Sequence, residues 1–271
     1  MRSTTRDFTT AWFTVGRGSP VVLIHGLADD HRAWRRVIPW LMLRHMVLLY
    51  DLRGHGETSL GQPTGELGQL GDDLVALLDA LEIQRATLAG FSLGGTIAMR
   101  AAIDHGDRIS GLALIATSSR VGSAAAAWYQ DRAAMVANAS EELRTTLDAD
   151  TAAVYANAPA ELADGLFIRR QSTIDPEGFA NACRAMAGLH EAPLDPELGR
   201  ITAPTVVLAA DRDQHCPPRA GEIIRAGIFH AILEVVPECG HPIPVERPDL
   251  VAAAVEQVAT AEPADQDSVE G

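Results

Sequence analysis

Short apolar runs recur along the chain and alternate with segments that have the periodicity of an amphipathic helix. Apolar runs without polar interruptions are typical of strands in a parallel sheet that is covered on both faces. Helical periodicity occurs between these runs, over 70–81, 96–103 and 250–258. The alternation predicts a doubly wound α/β fold with a mostly parallel sheet. The predicted strands are VVLIH (21–25), MVLLYD (46–51), ATLAG (86–90), GLALIA (111–116), PTVVLAA (204–210) and AILEVV (231–236).

The alternation is interrupted over residues 121–199, which are rich in Ala, Asn, Asp and Glu and show no strand pattern. We predict several helices there. Because this segment follows one predicted strand and precedes the next, we expect it to form a cap over the carboxyl edge of the sheet, where open α/β sheets bind ligands. Residues 1–120 and 200–261 then form the core. Residues 262–271 are acidic and lack apolar anchors, so we expect a disordered tail.

The composition fits one large domain, or a core with an inserted subdomain. The chain has 271 residues, and its hydrophobic share of 47% is enough for a sizeable core. The formal net charge of −14 argues against nucleic acid and against an anionic membrane as partners. All 22 basic residues are Arg. The lack of Lys excludes a Schiff base on Lys, and it excludes the P-loop motif, which requires one.

The cysteines and the N-terminal residues bear on the compartment. Cys183, Cys216 and Cys239 have no metal-ligand spacing and suit a reducing environment. The first residues are polar and lack an apolar signal core. No stretch approaches the roughly 18 uninterrupted apolar residues of a membrane-spanning helix. We therefore expect a cytoplasmic protein.

The sequence Gly90-Phe91-Ser92-Leu93-Gly94 matches the pattern G-x-S-x-G. By itself this pattern also fits a small residue in a glycine-rich bend. Here a predicted strand precedes Ser92 and a predicted helix follows it, which is the context of a nucleophile elbow, where a strained turn exposes the serine hydroxyl above the sheet. Gly90 and Gly94 would let the strand and the helix pass closely. We therefore predict that Ser92 is a nucleophile.

A serine hydroxyl is a weak nucleophile unless a histidine accepts its proton, and the imidazole needs an acid to orient it. After an elbow of this kind the expected order along the chain is Ser, then Asp or Glu, then His. Loops follow the last two predicted strands, at 211–217 and 237–242, and both would open at the edge that carries Ser92. These loops contain the predicted acid, Asp213, and the predicted base, His241.

Both assignments have competitors. Asp211 lies against the strand end, where we expect its carboxylate to accept backbone amides instead. The predicted strand 111–116 is followed by Thr117-Ser118-Ser119, which provide no acid. Order and position along the chain favour Asp213 and His241. The competing histidines near predicted strand ends are His25, His55 and His215.

Acyl transfer also requires hydrogen-bond donors that point at the developing oxyanion. The predicted donors are the backbone amides of Leu93, directly after the nucleophile, and of Leu27, in the loop after the strand 21–25. Gly26 permits the bend, and His25 is expected to pack in that loop or hydrogen-bond it. The segment 51–57, DLRGHGE, has no His and carboxylate spacing that matches a metal motif. We favour a hydrogen-bonded loop that shapes the oxyanion side over a metal or general-base site.

Five segments resemble motifs of the α/β-hydrolase superfamily and span almost the whole predicted core. In that family the acid is usually the last Asp of a G-x-x-D-x-x-x-P stretch, which maps to Asp213, with Ala210 where Gly is usual. Residues 173–189 followed by 200–213 are similar to the 3-oxoadipate enol-lactonase group, which itself resembles many small carboxylesterases. The matching segments are HGL (25–27), DLRGHGET (51–58), GFSLGG (90–95), DRDQHCP (211–217) and CGHPIPVERP (239–248).

The resemblance implies an α/β-hydrolase fold with an inserted helical cap, and a serine hydrolase that cleaves a small-molecule carboxylic ester or lactone through an acyl-enzyme. Ser92 would attack the carbonyl, His241 would act as base and then as acid, and Asp213 would fix the imidazole tautomer. No cofactor or metal is required. The alternatives are C–C bond hydrolysis, a cofactor-free haloperoxidase or cyclase activity with the same triad, and a ligand-binding protein with slow turnover.

Substrate choice is expected to depend on the cap. Three aromatic side chains either line an apolar pocket there or form the cap's own core, and the sequence favours neither: Trp128, Tyr129 and Phe167. Three arginines offer a partner for a substrate carboxylate, although solvated helix charges are the favoured interpretation: Arg132, Arg169 and Arg170. The candidate substrate-binding residues are Trp128, Phe167 and Arg132.

Overall fold

A single sheet organises the part of the chain that the computed structural model describes, residues 1–136 and 141–259. Its strands are β1 (Arg2–Thr5), β2 (Phe8–Val15), β3 (Ser19–Ile24), β4 (His45–Tyr50), β5 (Ala86–Phe91), β6 (Ile109–Ile115), β7 (Thr205–Ala210) and β8 (Ile232–Val236). The spatial order is β1-β2-β4-β3-β5-β6-β7-β8. The β1–β2 and β2–β4 pairs are antiparallel, and the other neighbours are parallel. The predicted mostly parallel sheet is confirmed.

Helices connect the strands and cover the sheet. The helices predicted from periodicity over 70–81, 96–103 and 250–258 are present, and they are labelled α2, α3 and α10 below. In the described residues no helix is both long enough and apolar enough to span a bilayer. The helices are α1 (Ile38–Leu41), α2 (Leu67–Ala80), α3 (Leu93–Asp104), α4 (Ser123–Met135), α5 (Glu141–Val154), α6 (Leu162–Ser172), α7 (Pro176–Gly188), α8 (Pro218–Gly227), α9 (Ile243–Glu246) and α10 (Pro248–Ala259).

Two hydrophobic cores lie on the two faces of the sheet. Along β3, Val21 and Leu23 belong to one core and Val22 and Ile24 to the other, because successive side chains of a strand point to opposite faces. Helices α2 and α3 cover one face and α10 covers the other. Apolar side chains are therefore needed at every position of the central strands, which is why these strands appear in the sequence as continuous apolar runs.

Several elements, among them β1, β2 and α8, do not follow from the continuous apolar runs or the helical periodicity. The strands β1 and β2 are rich in Thr and contain no long apolar run, and their antiparallel pairing at one side of the sheet leaves several side chains partly exposed. Helix α8 starts at Pro218 and buries only Gly221 and Ile224, so its apolar stripe is narrow. Elements with little buried surface have weak apolar patterns, which explains why the sequence did not predict them.

The segment 121–199 contains helices α4 to α7 and, in its described residues, no strand. A small hydrophobic cluster joins it to the core, because Phe179 and Cys183 of α7 pack with Ala28 from the loop after β3. The backbones of Gly178 and Gly54 also meet, since a Cβ added at Gly178 would lie 2.0 Å from the Gly54 carbonyl oxygen. These contacts place the helices against the loops at the carboxyl ends of β3 and β4. The predicted tail, 262–271, lies outside the described residues.

Candidate active site

Ser92 occupies the turn between β5 and α3, with φ +53° and ψ −119°. A non-glycine residue at such a φ is strained, at a cost of the order of 1–3 kcal/mol, and needs the surrounding structure to hold it. Hydrogen bonds to its backbone do so: the Ser92 amide donates to the Ile115 carbonyl at 2.9 Å, and the Ser92 carbonyl accepts the Gly95 amide at 2.9 Å and the Thr117 hydroxyl at 2.7 Å. The predicted strand–turn–helix around Ser92 is confirmed.

The close crossing of strand and helix at this turn leads to a stability prediction. We expect Gly94→Ala to lower the free energy of unfolding by about 3 kcal/mol, as overpacking typically does. The added Cβ would lie 2.1 Å from the Ile24 carbonyl oxygen, so the turn would have to open. Gly68→Ala in α2 is the matched control: its Cβ meets no atom within 4 Å, so this variant should be at least as stable as wild type. Urea unfolding measures both; a Gly94→Ala variant as stable as wild type would disprove the tight crossing.

Side chains from three separate loops meet at Ser92. The Nε2 atom of His241 lies 3.1 Å from Ser92 Oγ, and its Nδ1 atom lies 2.7 Å from Asp213 Oδ2. His241 and Asp213 are buried, whereas Ser92 is partly exposed. Because an ionised carboxylate can only accept, the bond to Asp213 requires a proton on Nδ1 and leaves the lone pair of Nε2 facing the serine hydroxyl. The structure thus brings together the residues predicted as nucleophile, base and acid.

The environment of Asp213 keeps its carboxyl group ionised. Burial raises the pKa of this group, but the charge and hydrogen bond of His241, with two backbone amides, outweigh burial and hold the pKa below its ordinary value. Those amides belong to His215 and Cys216 and donate to Oδ1 at 2.8 and 2.9 Å. The competitor Asp211 instead accepts the Cys239 amide at 3.2 Å, as expected from its position at the strand end.

Two of the competing histidines, His25 and His55, are buried in the loops after β3 and β4 and hydrogen-bond the backbone there. The Nδ1 atom of His25 lies 2.8 Å from the Gly26 carbonyl oxygen, and its Nε2 atom accepts the Leu52 amide at 2.9 Å. His25 therefore joins the loops after β3 and β4, which confirms its predicted hydrogen bonding within the loop. His55 is fully enclosed, and burial lowers its pKa to about 4. It is therefore uncharged at neutral pH.

The two amides predicted to face an oxyanion have no protein acceptor among the described residues. Leu93 is the first residue of α3, so its amide has no carbonyl of the same helix to which it could donate. Leu27 lies in a tight turn that is closed by the Asp29 amide donating to the Gly26 carbonyl at 3.2 Å. The next residue, Ala28, has φ +62°, a region that favours glycine. Both amides are thus available to donate to a ligand, and their role in an oxyanion hole stays a prediction.

A cavity of about 340 Å³ opens beside Ser92 and is walled by the core on one side and by α4 to α7 on the other. This volume suits a small organic molecule. Trp128 and Tyr129 line it, with ring centroids 5.0 Å apart, as the pocket interpretation of these residues expected. His215 also lines it and lies 5.1 Å from the ring of His241. The other side chains in the wall include Leu27, Phe91, Leu147, Val154, Arg169, Phe179 and Gln214.

Phe167 does not line this cavity, so the structure does not bring this predicted substrate-binding residue to Ser92. Its side chain is 58% exposed, and the guanidinium carbon of Arg32 lies 5.4 Å from its ring centroid. The buried residues of α6 are Gly165, Ile168 and Ser172. Phe167 lies on the other side of the helix and therefore points away from the cavity.

Arg132, the third predicted substrate-binding residue, is not brought to the cavity either, and its guanidinium is bound to a carboxylate of the protein. Its Nε and Nη2 atoms donate to the two carboxylate oxygens of Asp150 at 2.8 and 2.9 Å. Its guanidinium carbon lies 4.6 Å from the centroid of the Trp128 ring. The bidentate pair uses the fork that a substrate carboxylate would need. Arg132 therefore fixes α4 to α5 and does not line the cavity.

The other two candidate arginines of the segment 121–199, Arg169 and Arg170, are ion-paired as well, and of these two only Arg170 is the solvent-exposed helix charge that the sequence favoured. Arg170 binds Asp148 at 2.6 Å, and its side chain is 51% exposed. Arg169 binds Asp29 of the core at 3.1 Å through Nε, and its side chain is only 12% exposed. Of the three arginines, Arg169 alone is in the cavity wall.

The loop after β4 is held by hydrogen bonds, as predicted. Asp51 is buried; its Oδ1 accepts the His31 amide at 2.9 Å and lies 2.7 Å from His31 Nδ1, and its Oδ2 accepts the Glu57 amide at 2.9 Å. Ligand-type atoms of Asp30, His31 and Asp51 lie within 4.8 Å of one another, a spacing that a metal could use. Asp30 binds Arg32, and Asp51 binds His31 and the Glu57 amide. We therefore interpret these three residues as a hydrogen-bonded group that stabilises the loop.

The fold and the site together define a class of protein. The sheet is mostly parallel, a serine lies on the strained turn after β5, and an acid and a histidine lie in the loops after β7 and β8. A family model for the alpha/beta hydrolase fold matches residues 19–248. The chain belongs to the α/β-hydrolase family. Its predicted resemblance to that family is thereby confirmed.

Individual relatives narrow the comparison. The chain is 32% identical over 262 residues to 3-oxoadipate enol-lactonase 2 of Acinetobacter baylyi, covering 94% of each chain. It is 32% identical over 253 residues to a pimeloyl-[acyl-carrier protein] methyl ester esterase of Chromobacterium violaceum, covering 91% of this chain and 97% of the relative. The crystal structure of an enol-lactonase from Burkholderia xenovorans superimposes with a TM-score of 0.85 at 26% identity, covering 96% of this chain and 100% of that one.

Proposed function

We propose that the protein is a hydrolase of small-molecule carboxylic esters or lactones that works through an acyl-enzyme. The observation that carries the proposal is the hydrogen-bonded series in which Ser92 Oγ lies 3.1 Å from His241 Nε2 and His241 Nδ1 lies 2.7 Å from Asp213 Oδ2. Nucleophile, base and orienting acid are then within reach of one another, which is the arrangement that acyl transfer by a serine requires.

In the proposed acylation, Ser92 Oγ attacks the carbonyl carbon while its proton moves to His241 Nε2. The Asp213 carboxylate balances the imidazolium that forms. The carbonyl oxygen becomes negatively charged and accepts hydrogen bonds from the amides of Leu27 and Leu93. These hydrogen bonds strengthen as the charge develops, so they stabilise the transition state more than the bound substrate. The imidazolium then gives its proton to the departing alkoxide. In a lactone the alcohol stays attached to the acyl group.

Deacylation uses the same groups in reverse. His241 takes a proton from a water molecule, and the resulting hydroxide attacks the acyl carbon. The second tetrahedral intermediate collapses, Ser92 Oγ receives the proton back from the imidazolium, and the carboxylic acid leaves. Every proton in the cycle passes through His241, so no further acid or base is needed.

The named relatives support an ester or lactone substrate over the alternatives. An enol-lactonase and a methyl ester esterase are each 32% identical to the chain over more than nine-tenths of its length. Both names describe cleavage of a carboxylic ester bond. The cavity of about 340 Å³, with aromatic and aliphatic side chains around Ser92, suits the acyl part of such a molecule.

The test is turnover on a panel of p-nitrophenyl esters of graded acyl length and of five- and six-membered lactones, together with labelling by a fluorophosphonate. We expect hydrolysis of at least one ester or lactone. We also expect the fluorophosphonate to abolish that activity when one label per chain has reacted, and peptide mass spectrometry to locate the label on Ser92. Labelling without any steady-state turnover would instead favour the slow ligand-binding alternative. Cleavage of a vinylogous diketone with no ester turnover would favour C–C bond hydrolysis.

A further inference from the structure

We propose that Arg169 and Ser172 of α6 are positioning residues that hold the turn carrying the Leu27 amide, so that the helical segment sets the geometry of the oxyanion hole. The inference rests on the proposed function, in which that amide stabilises the oxyanion. Neither side chain was predicted from the sequence to act at this turn. Both lie far from Leu27 in the chain but next to its turn in space.

The turn itself is conformationally demanding. It spans Gly26 to Asp29 and is closed by one hydrogen bond of 3.2 Å between these two residues. Its third residue, Ala28, has φ +62°, which L-residues other than glycine adopt only when their surroundings hold them there. A single long hydrogen bond is weak support for such a residue. Contacts from outside the turn are therefore needed to keep the Leu27 amide in one position.

Helix α6 provides those contacts. The Nε atom of Arg169 donates to Asp29 Oδ1 at 3.1 Å, and the hydroxyl of Ser172 donates to the Ala28 carbonyl oxygen. The two residues are three positions apart, so they lie on one face of the helix. Together they bind the two residues that directly follow Leu27. The Arg169 and Asp29 side chains are 12% and 5% exposed, so solvent screens their attraction little.

The helix is itself attached to the core on either side of these contacts. The Ser172 carbonyl oxygen accepts the Gly56 amide at 2.9 Å, in the loop after β4. Near the start of the helix, Arg35 Nη2 donates to Asp164 Oδ2 at 3.0 Å. Because both ends of α6 are bound to the core, the helix can restrain the turn rather than move with it. Ser172 is 1% exposed and does not line the cavity, so it acts through Ala28 and not on substrate.

A looser turn would affect the transition state more than the bound substrate. Donors to an oxyanion act only within about 2.7–3.1 Å of the charged oxygen, and loss of one donor costs about 10²- to 10³-fold in kcat. Displacement of the Leu27 amide without its removal should cost less, about 10-fold. The uncharged carbonyl of the bound substrate gains little from the amide, so KM should change little. This split separates a positioning role from a loss of substrate binding.

The experiment compares Ser172→Ala and Arg169→Gln with Arg170→Gln as a matched control. Arg170 is the next residue of α6, loses the same charge, and binds Asp148 of α5 rather than the turn. We measure kcat and KM on an ester that wild type cleaves, and the inhibition constant of a short alkylboronic acid, whose tetrahedral adduct places an oxygen in the hole. The first two variants should lower kcat and weaken boronate binding by about 10-fold. Arg170→Gln should match wild type.

The inhibition constant does not depend on how much of a sample is folded, so it separates positioning from simple destabilisation. Arg169→Gln leaves the buried Asp29 carboxylate unpaired, so the double variant Asp29→Asn with Arg169→Gln removes both charges and keeps the test valid if the single variant fails to fold. Wild-type kcat and boronate affinity in Ser172→Ala and in the double variant, with or without a lower melting temperature, would overturn the inference. Full turnover by Ser92→Ala would contradict the proposed function instead.

Discussion

Ser92→Ala is expected to lower kcat for ester or lactone hydrolysis by about 10⁵-fold or more, because it removes the atom that forms the acyl-enzyme. The activity that remains would come from binding and from the oxyanion donors. The fold should be unaffected: the Ser92 hydroxyl contacts His241 but no other hydrogen-bond partner in the described residues, and Ala can adopt φ +53° as readily as Ser. Steady-state kinetics at high enzyme concentration measures the loss, and thermal unfolding checks the fold.

Ser110→Ala is the control for this prediction. Ser110 is a partly buried serine of β6 whose hydroxyl lies 3.1 Å from Thr87 Oγ1, and it does not line the cavity. Its loss should leave kcat within about twofold of wild type, as for surface and semi-buried changes away from a site. Fluorophosphonate should label Ser110→Ala and leave Ser92→Ala unlabelled. Undiminished turnover in Ser92→Ala would exclude the serine mechanism.

Asp213→Asn is expected to lower kcat by about 10⁴-fold while leaving the fold intact. The Asn carbonyl can still accept the amides of His215 and Cys216 that Oδ1 accepts now at 2.8 and 2.9 Å. Its NH₂ group would then face His241 Nδ1 and donate to it, which forces the imidazole proton onto Nε2. That tautomer cannot accept the proton of Ser92, and no carboxylate remains to balance an imidazolium. The loss should appear in kcat at neutral pH.

Asp211→Asn is the matched control because it makes the same change two residues earlier. The Asp211 side chain accepts the Cys239 amide at 3.2 Å, a role that the Asn carbonyl can fill, and it does not contact His241. We expect kcat within about twofold of wild type and a small loss of stability. A large loss in Asp211→Asn with little effect of Asp213→Asn would reverse the assignment of the acid.

The strands of the parallel part of the sheet were predictable because both of their faces are buried. Val21, Val22, Leu23 and Ile24 must all be apolar when the two cores share one strand, and such runs are easy to recognise. The turn at Ser92 was predictable for a related reason, since a strand, a small-residue turn and a helix follow one another locally. The strands β1 and β2 were missed because they bury less surface and are rich in Thr, without the continuous apolar run of the central strands.

The positions of the loops that carry Asp213 and His241 could be predicted from the sequence because the topology of a parallel sheet determines them. Parallel strands in one sheet end at the same edge, so residues that follow β5, β7 and β8 meet there however far apart they lie in sequence. The distances of 2.7 and 3.1 Å at His241 required coordinates. The meeting of the three loops followed from the alternation of strands and helices.

The partners of the arginines in the segment 121–199 could not be predicted from the sequence. Whether Arg132 or Arg169 meets a substrate depends on which carboxylate lies beside it after the helices pack. Arg132 meets Asp150 on another helix, and Arg169 meets Asp29 in the core. Phe167 likewise points outward because of how α6 is rotated against the core, and the weak apolar stripe of that helix does not reveal the rotation.

By itself the sequence determined the strands of the parallel part of the sheet, the strand–turn–helix at Ser92, and the two loops that carry Asp213 and His241, because these follow from local patterns and from the topology of parallel strands. Only the tertiary structure decided which side chains of the helical segment line the cavity, which arginines are already paired, and that α6 binds the turn of Leu27. The contacts of α6 with that turn join residues more than a hundred positions apart, such as Arg169 with Asp29. They depend on how helices are rotated and packed, which no local pattern encodes.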